Sequence, residues 1–458
     1  MRVLLFDIDA LRPDHLGCYG YRRPTSPTLD AVAAEGLCFN RYYCANSPCL
    51  PSRMSFASGR FGINNGCCSN IWAGAKFHIR HRPYGGPYPE NEMLPRSLRR
   101  AGMDTIGFSN FPDRHSAAWF MCGWSEFHSP NLKCGGETAQ EVNDAVLPWL
   151  KVNAARDNYL LYVNYWDAHR CYKMDPSWGD PLRGHPVTQR WPDDAAIAAH
   201  QHIPGPFTAS LQFTDHKSPF PLMPDAVTNR ADFEHMITGY DTAIRYVDHH
   251  LRIILDEFER QGLMNDTAVI ITSDHGDAFG EHGIYSDHVC ADECVHRVPL
   301  IVRWPGVTGP GRRCDDLLYN VDLSATLCEM LGAAIPAAWD GASFAAQLRG
   351  QPAVGREYLV WDHGTYAVQR AVRTRRHLMV RTYDDKGYPF RPVALYDMEQ
   401  DPYQTRDLSE ALPDIVATCD SMLNHWLQEQ RAKHGVEADP LELVVAERRR
   451  RALPDETK

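Results

Sequence analysis

Residues 3–9 read Val-Leu-Leu-Phe-Asp-Ile-Asp, and residues 267–277 read Thr-Ala-Val-Ile-Ile-Thr-Ser-Asp-His-Gly-Asp. Each stretch is a short apolar run that ends in carboxylates. Runs of this length and composition predict buried strands of a sheet that is covered on both faces. In parallel α/β sheets, ligands bind beyond the carboxyl ends of the strands. The two stretches therefore predict an α/β fold with a polar site at one edge of its sheet.

Around these two stretches, apolar runs of strand length alternate with patterns of helical period. A long amphipathic helix is predicted over about 235–261, with its apolar side chains on one stripe and Gly262 at its end. This alternation is typical of a mostly parallel sheet sandwiched by helices. The other predicted strands of the sheet cover residues 105–108, 159–164 and 298–302.

The pattern changes near residue 355. Short strands followed by a helix over about 412–431 predict a smaller C-terminal α+β subdomain that contains a short antiparallel sheet. We therefore expect an α/β domain over residues 1–354 and a C-terminal subdomain over 355–458 that ends in a charged arm. Residues 172–232 are rich in Pro, Trp, His and Asp, with weak periodicity, which indicates an insertion that shapes a substrate site.

Charge and hydropathy patterning exclude several classes of protein. The formal net charge is −11 and no basic stripe of the kind that binds a nucleic-acid backbone is present, so no nucleic-acid partner is expected. The first apolar run is too short for a signal peptide, and no later run reaches the length of a membrane span. We therefore expect a soluble, cytoplasmic protein without a membrane partner.

Acidic and imidazole side chains gather at the two predicted strand ends. Asp7 and Asp9 are two residues apart on one strand, so both side chains point to the same face. Asp274 and His275 follow the other strand. Because oxygen ligands suit hard divalent cations, the two strand ends together predict a cation site at this edge of the sheet.

The segment that specifies the chemistry is residues 49–60, which read Cys-Leu-Pro-Ser-Arg-Met-Ser-Phe-Ala-Ser-Gly-Arg. Its pattern, C-x-P-S-R with Ser-Gly a few residues further on, is the modification signature of sulfatases. With this segment and with residues 9–20, 274–283 and 297–302, the chain resembles the sulfatase family of the alkaline-phosphatase superfamily. The resemblance covers most of the chain outside residues 172–232 and the C-terminal end, and it implies an alkaline-phosphatase-like α/β fold whose larger domain is catalytic.

The resemblance implies a nucleophile made from Cys49. In this family a formylglycine-generating enzyme oxidises the motif cysteine to formylglycine, an aldehyde that hydrates to a geminal diol. One diol oxygen attacks the sulfur of a sulfate ester and the alcohol leaves; the second hydroxyl then loses its proton and sulfate is expelled, which restores the aldehyde. A thiol has no second hydroxyl for this elimination. Arg53, one helical turn after Cys49, is expected to hold the aldehyde hydrate and to offset charge at the cation site.

The resemblance also implies Asp9, Asp274 and His275 as ligands of one divalent cation. The family usually has a second acid where Ala10 stands, and often has Asn where His275 stands. Asp7 lies on the same strand face as Asp9 and is our own candidate for the missing oxygen ligand. Calcium is the family default, while a histidine ligand favours manganese, magnesium or zinc as alternatives because it softens the site.

Two histidines complete the predicted site. His169 matches the family histidine near the ester oxygen, where it would protonate the leaving alcohol, and His288 is a candidate for charge stabilisation. Two lysines of the family pattern are absent, one from residues 107–111 and one from about 286–287. The candidate neutral donors for the ester oxygens are Asn64, Asn65, Asn70 and Asn110.

Three functions remain open from the sequence. The first is hydrolysis of a small-molecule or saccharide sulfate ester. The second is hydrolysis of phosphonate monoesters or phosphodiesters on the same scaffold, because that branch also lacks the first lysine and carries Asp-His at its second metal block, although it keeps the later lysine. The third is non-catalytic binding of an anion or glycan. Residues 61–90 and 172–232 are expected to line the pocket, and the arm after about residue 435 either frays or crosses the interface of a homo-oligomer.

Overall fold

A computed structural model describes residues 1–75, 92–207, 217–218 and 220–452. Within the two segments predicted to line the pocket, residues 76–90, 208–216 and 219 lie outside the described residues. The last part of the predicted charged arm, residues 453–458, also lies outside them.

The described strands fall into a large sheet, a C-terminal sheet and two short pairs. Their bounds are β1 Arg2–Ile8, β2 Leu37–Phe39, β3 Tyr42–Tyr43, β4 Asn46–Ser47, β5 Asp104–Phe108, β6 Glu126–His128, β7 Tyr159–Tyr165, β8 Thr267–Thr272, β9 Ala278–Phe279, β10 Tyr285–Asp287, β11 Leu300–Arg303, β12 Arg312–Cys314, β13 Leu318–Tyr319, β14 Leu359–His363, β15 Val368–Arg373, β16 His377–Asp384 and β17 Val393–Asp397.

The longest of the described helices is α8, which has 31 residues. Their bounds are α1 Pro27–Ala34, α2 Cys49–Ser58, α3 Gly62–Asn65, α4 Leu94–Arg100, α5 Phe111–His115, α6 Ala139–Asn153, α7 Asp194–Ala199, α8 Arg230–Arg260, α9 Glu293–His296, α10 Asn320–Met330, α11 Ala345–Leu348, α12 Pro413–His434 and α13 Pro440–Ala452. Among the described helices, none combines the length and the apolar character that a membrane crossing requires.

The large sheet has eight strands in the order β12-β2-β11-β8-β1-β7-β5-β6. The five strands from β8 to β6 are parallel to their neighbours, whereas β11 runs antiparallel to β8 and to β2. The sequence therefore predicted the mostly parallel sheet correctly. In the register of β1 with β8, Asp7 pairs with Thr272, so the polar ends of the two strands lie side by side.

The side chains of β1 alternate between two hydrophobic layers. Leu4, Phe6 and Ile8 pack with apolar residues of α1, α6 and α8 on one face of the sheet. Val3 and Leu5 pack with apolar residues of α2, α4 and α10 on the other face. Because strand residues alternate with period two, Asp7 and Asp9 share the face of Val3 and Leu5. That face is covered by α2, the helix that begins at Cys49.

A second sheet carries the C-terminal part of the chain, in the order β17-β16-β15-β14-β4. The pairs among β14 to β17 are antiparallel, as predicted. Its edge strand β4 comes from the N-terminal half of the chain and pairs in parallel with β14, so that Ser47 lies opposite His363. The division of the chain at residue 354 remains a prediction. Strand β4 belongs to the N-terminal part of the sequence but pairs with the C-terminal sheet, and it lies just before Cys49.

The predicted charged arm forms helix α13, which packs against the same chain. Asp439, just before this helix, accepts hydrogen bonds from the buried guanidinium of Arg370 on β15. Arg448 on α13 donates to the carbonyl oxygens of Gly364 and Thr365, at 3.1 and 2.6 Å. From residue 440 to residue 452, the arm is therefore a helix that supports the loop after β14.

Candidate active site

Cys49 is the first residue of α2, and it lies against the ends of the two central strands. It follows Pro48, and the Ser47–Pro48 peptide bond is cis. Its side chain is buried, and its Sγ lies 3.1 Å from Nε2 of His275. The structure therefore places the predicted nucleophile in contact with His275, which follows strand β8.

Arg53 is fully buried one turn further along α2, and it connects three carboxylates. Its Nε donates to Oδ2 of Asp7 at 2.9 Å, and its Nη1 lies 2.9 Å from Oδ2 of Asp9 and 2.5 Å from Oδ2 of Asp274. The rings of Phe111 and Trp166 cover the guanidinium, with centroids 5.1 and 5.2 Å from Cζ. Charge-assisted hydrogen bonds in so dry a setting fix the relative positions of the two strand ends and α2.

The backbone turns sharply after Asp9. Ala10, directly after Asp9, has a φ of 58°, and its N–H donates to Oδ1 of Asp274 at 3.2 Å. The N–H of His275 donates to the same oxygen at 2.9 Å. Ala10 therefore contributes a backbone hydrogen bond that orients Asp274.

The residues predicted as metal ligands converge. Ligand atoms of Asp9, Cys49, Asp274 and His275 all lie within 4.8 Å of one another. Oδ1 of Asp9 is buried without a hydrogen-bond partner, and so is Oδ1 of Asp7. Three carboxylates face a single guanidinium here, and buried charges of this kind require further compensation. The donor set and the partnerless buried oxygen of Asp9 fit a divalent cation.

Asp7 lies outside this group of ligand atoms. Its Oδ2 accepts from Arg53 and from the hydroxyl of Tyr162, and it does not share the 4.8 Å cluster of Asp9 and Asp274. Its assignment as a metal ligand remains a prediction. Its observed contacts position Arg53.

The pKa values of Asp9 and Asp274 are shifted in opposite directions. Burial raises the pKa of Asp274 to about 7, and Asp9 adds to this effect while Arg53 opposes it. Burial also acts on Asp9, but Arg53, His169 and His275 hold the pKa of that carboxyl well below its ordinary value. A cation bound between the two acids would favour the ionised form of both.

The imidazole of His275 and the thiol of Cys49 influence each other. Burial lowers the pKa of His275, but Asp274 and Cys49 outweigh it and raise that pKa well above its ordinary value. Burial and then Asp9 raise the pKa of the Cys49 thiol, although His275 opposes this. An unmodified Cys49 is therefore a poor thiolate nucleophile at neutral pH.

His169 and His288 lie close to Cys49. One ligand atom from each of these three residues lies within a mutual 4.8 Å, and the ring of His288 is 4.5 Å from that of His275. Burial and the neighbouring Arg114 lower the pKa of His169, and burial and His275 lower that of His288. Burial therefore disfavours the charged form of both imidazoles.

Sequence reasoning missed two residues of the site. Nδ1 of His288 lies 2.8 Å from Oδ1 of Asp277, a buried carboxylate whose pKa is raised by burial to about 7. Nη2 of Arg114, on α5, lies 3.3 Å from Nε2 of His169. Asp277 stands in the same acidic stretch as Asp274, which is a signal in the sequence. Arg114 carries no such signal.

The four asparagines proposed as neutral donors have structural partners. Nδ2 of Asn64 donates to Asp340 and Gln430, that of Asn65 donates to the carbonyl of Arg60, and that of Asn110 donates to Glu137. Asn70 accepts through Oδ1 from the N–H of Leu50, at the start of α2. Their role toward the ester oxygens remains a prediction.

Comparison with known proteins identifies the family. The family model described as Sulfatase matches residues 2–333, and the model described as N-sulphoglucosamine sulphohydrolase, C-terminal, matches residues 280–433. The chain belongs to the sulfatase family, whose members are sulfuric ester hydrolases.

Individual relatives are distant but match over most of their length. An N-acetylglucosamine-6-O-sulfatase of Bacteroides thetaiotaomicron is 22% identical, over 86% of this chain and 80% of the relative. A solved structure in complex with its substrate D-glucosamine-2-N,6-O-disulfate matches with a TM-score of 0.74 at 18% identity, covering 96% of this chain and 99% of that one. The phosphonate monoester hydrolase of Agrobacterium radiobacter matches with a TM-score of 0.67 at 21% identity, covering 94% and 96% of the two chains. These structures confirm the predicted fold.

Proposed function

We propose that this protein hydrolyses a sulfate ester of a saccharide, with formylglycine derived from Cys49 as the nucleophile and one divalent cation beside it. The observation that carries the proposal is the convergence of Cys49, Asp9, Asp274 and His275 within 4.8 Å at the strand ends. The preference for a saccharide follows relatives named for sulfated sugars. A formylglycine-generating enzyme is the partner that this maturation requires.

The modification is supported by the chemistry of the unmodified side chain. Burial and Asp9 hold the Cys49 thiol in its protonated form, and a thiol lacks the second hydroxyl that the elimination step uses. The Cys49 side chain faces His275, and Arg53 lies one turn away between Asp9 and Asp274. An aldehyde hydrate at this position would meet the same imidazole and carboxylates.

Asp9, Asp274 and His275 would hold the cation, with Asp7 as the further oxygen donor or as the support of Arg53. When bound, a divalent cation offsets the negative charge of the sulfate oxygens and favours ionisation of the nucleophilic hydroxyl. A hydrogen bond on the far side of the ring fixes the orientation of His275, because its Nδ1 lies 2.8 Å from the carbonyl oxygen of Gly276. Its Nε2 is thereby aimed at the nucleophile.

His169 would protonate the leaving alcohol, and His288 would stabilise negative charge on the transferred group. Burial disfavours the protonated form of both imidazoles, and an anionic ester placed beside them would favour it. Asp277 accepts from His288 at Nδ1 and so leaves Nε2 of that ring for the substrate.

A second candidate function is hydrolysis of phosphonate monoesters or phosphodiesters. Two observations favour it: the similarity of fold to a phosphonate monoester hydrolase, and the Asp274-His275 pair in place of the more usual Asp-Asn. The third function left open by the sequence, non-catalytic binding of an anion or glycan, has no observation in its favour, because the chain belongs to a family of sulfuric ester hydrolases. A cytoplasmic location and a homo-oligomeric state remain predictions.

The experiment that separates these functions compares turnover of 4-nitrophenyl sulfate, a 4-nitrophenyl phosphonate monoester and a panel of sulfated monosaccharides. The protein is coexpressed with a formylglycine-generating enzyme, and Cys49→Ala serves as the matched control. We expect sulfate release that the control lacks. A higher kcat/KM for the phosphonate would favour the second candidate, and no turnover of any ester by fully modified protein would favour the third.

A further inference from the structure

Two half-buried cations beside the active site have no carboxylate partner among the residues that the structure describes. Nη1 of Arg114 donates to the carbonyl oxygen of Cys134 at 3.2 Å, and the guanidinium lies 5.2 Å from the ring centroid of Trp166. The Nζ of Lys173 lies 5.9 Å from the ring centroid of Phe220. Both cations are therefore held by neutral groups.

Arg114 and Lys173 belong to one patch of the surface. Both side chains lie against the adjacent glycines Gly135 and Gly136. The position that a Cβ atom would take at Gly135 is 3.0 Å from Nη1 of Arg114, and the corresponding position at Gly136 is 3.7 Å from Nζ of Lys173. Since consecutive Cα atoms are about 3.8 Å apart, the two cations lie along the same short backbone segment. Burial and the repulsion from Arg114 both lower the pKa of Lys173, which is consistent with this proximity.

The other cations near the site are matched by acids. Arg53 contacts three aspartates, and Nη1 of Arg170 lies 2.5 Å from Oδ2 of Asp287. The carboxylate of Glu137, which lies behind the patch, already accepts from Nδ2 of Asn110 at 2.8 Å and from the N–H of Gly135 at 2.9 Å. Among the described residues, no carboxylate therefore forms an ion pair with either cation, and Glu137 and Asp167 act on Lys173 only from a distance.

We propose that Arg114 and Lys173 bind a second anionic group of the substrate, a carboxylate or another sulfate carried by the alcohol part of the ester. The patch adjoins His169, the residue expected at the leaving oxygen, through the 3.3 Å contact of Arg114. A substrate whose cleaved group lies at Cys49 therefore extends its alcohol part toward the two cations. Charge-assisted hydrogen bonds from an arginine and a lysine are the strong interactions that select such a dianion. This inference rests on the proposed function and narrows its substrate class.

The test uses non-hydrolysable alkyl sulfonates, because a sulfonate resembles the cleaved group. Propanesulfonate is compared with α,ω-disulfonates and ω-carboxyalkyl sulfonates of varied chain length, as competitive inhibitors of aryl sulfate turnover and as ligands in calorimetry. We expect the best dianion to bind at least about tenfold more tightly than the monoanion, which is the size of one good charged contact. The disulfonates and carboxylate compounds show which second anion fits.

Lys173→Gln is expected to reduce this ratio to about twofold or less, whereas Lys173→Arg, which keeps the charge, is expected to retain most of it. Lys151→Gln, at an exposed site on α6, is the matched control and should leave the ratio intact. Thermal unfolding checks that the variants are folded. Equal binding of monoanions and dianions, or a ratio that Lys173→Gln does not change, would overturn the inference. Calorimetry measures the ratio of dianion to monoanion binding even if no sulfate ester is turned over. A lack of turnover would instead contradict the proposed function.

Discussion

Sγ of Cys49 and Nε2 of His275 lie 3.1 Å apart, although the two residues are separated by 226 positions in the chain. The contact joins the start of α2 to the end of β8, and Asp9 at the end of β1 completes the group. The proposed nucleophile and the proposed metal ligands therefore form one unit. A change in any of them is expected to alter both metal binding and catalysis.

The identity of the metal is expected to depend on His275. Replacing this imidazole by an amide oxygen in His275→Asn makes the donor set harder, so the binding of manganese and zinc should weaken relative to the binding of calcium. Activity of chelator-treated protein, measured after adding each cation in turn, gives the order of preference. An unchanged order would show that His275 is not a ligand.

Arg53 is expected to stabilise the metal-free protein. Arg53→Met leaves buried Asp7, Asp9 and Asp274 without their cation, which should lower the free energy of unfolding by about 3–5 kcal/mol in the presence of a chelator. A divalent cation should then restore more stability to the variant than it adds to the wild type. Denaturant unfolding with and without cation measures both increments, and equal increments would contradict a cation site beside Arg53.

The C-terminal helix is expected to support the nucleophile from a distance. Arg448 holds the carbonyl of Thr365, the Thr365 hydroxyl accepts from the N–H of Asn70, and Asn70 accepts from the N–H of Leu50, next to Cys49. Arg448→Gln should therefore lower kcat by about tenfold, because small displacements of a nucleophile are costly.

The matched control for Arg448→Gln is Arg451→Gln, whose exposed side chain donates to Glu447 on the same helix. It should leave kcat within about twofold of the wild type, since an exposed helix pair contributes little. Equal kcat values for the two variants would mean that α13 does not position Cys49.

His250 is expected to make the protein less stable in mild acid. Burial and the neighbouring His249 lower the pKa of His250 from 6.5 to about 4. Below pH 6.5 the unfolded chain takes up a proton at this residue that the folded chain does not, so stability falls as the pH falls, until the folded pKa is reached. Relative to His250→Gln, the wild type should lose about 1.2 kcal/mol of unfolding free energy between about pH 5.5 and 4.5. Urea unfolding at the two pH values measures this difference, and parallel losses would contradict it.

The strand ends could be predicted from the sequence because their information is local. Alternation along β1 places Asp7 and Asp9 on one face, and an acidic stretch after an apolar run marks the end of β8. The C-x-P-S-R pattern that begins at Cys49 carries the chemistry in a single segment. Each of these signals lies within about a dozen neighbouring residues.

Features built by distant contacts were not predicted. Arg114 reaches His169 from a helix of five residues, and its role depends on how that short helix packs. The pairing of β4 with β14, which braces the residues before Cys49, joins segments more than three hundred positions apart. Two-residue strands such as β4 carry no periodicity, so only the folded chain reveals them.

The measurement that tests the account most directly is the mass of the peptide containing Cys49, in protein coexpressed with a formylglycine-generating enzyme and shown to release sulfate. Formylglycine-dependent covalent catalysis predicts a peptide about 18 Da lighter than the thiol form, in an amount that rises in proportion to kcat, and no activity in Cys49→Ala. A fully active protein whose Cys49 is entirely unmodified would contradict the account.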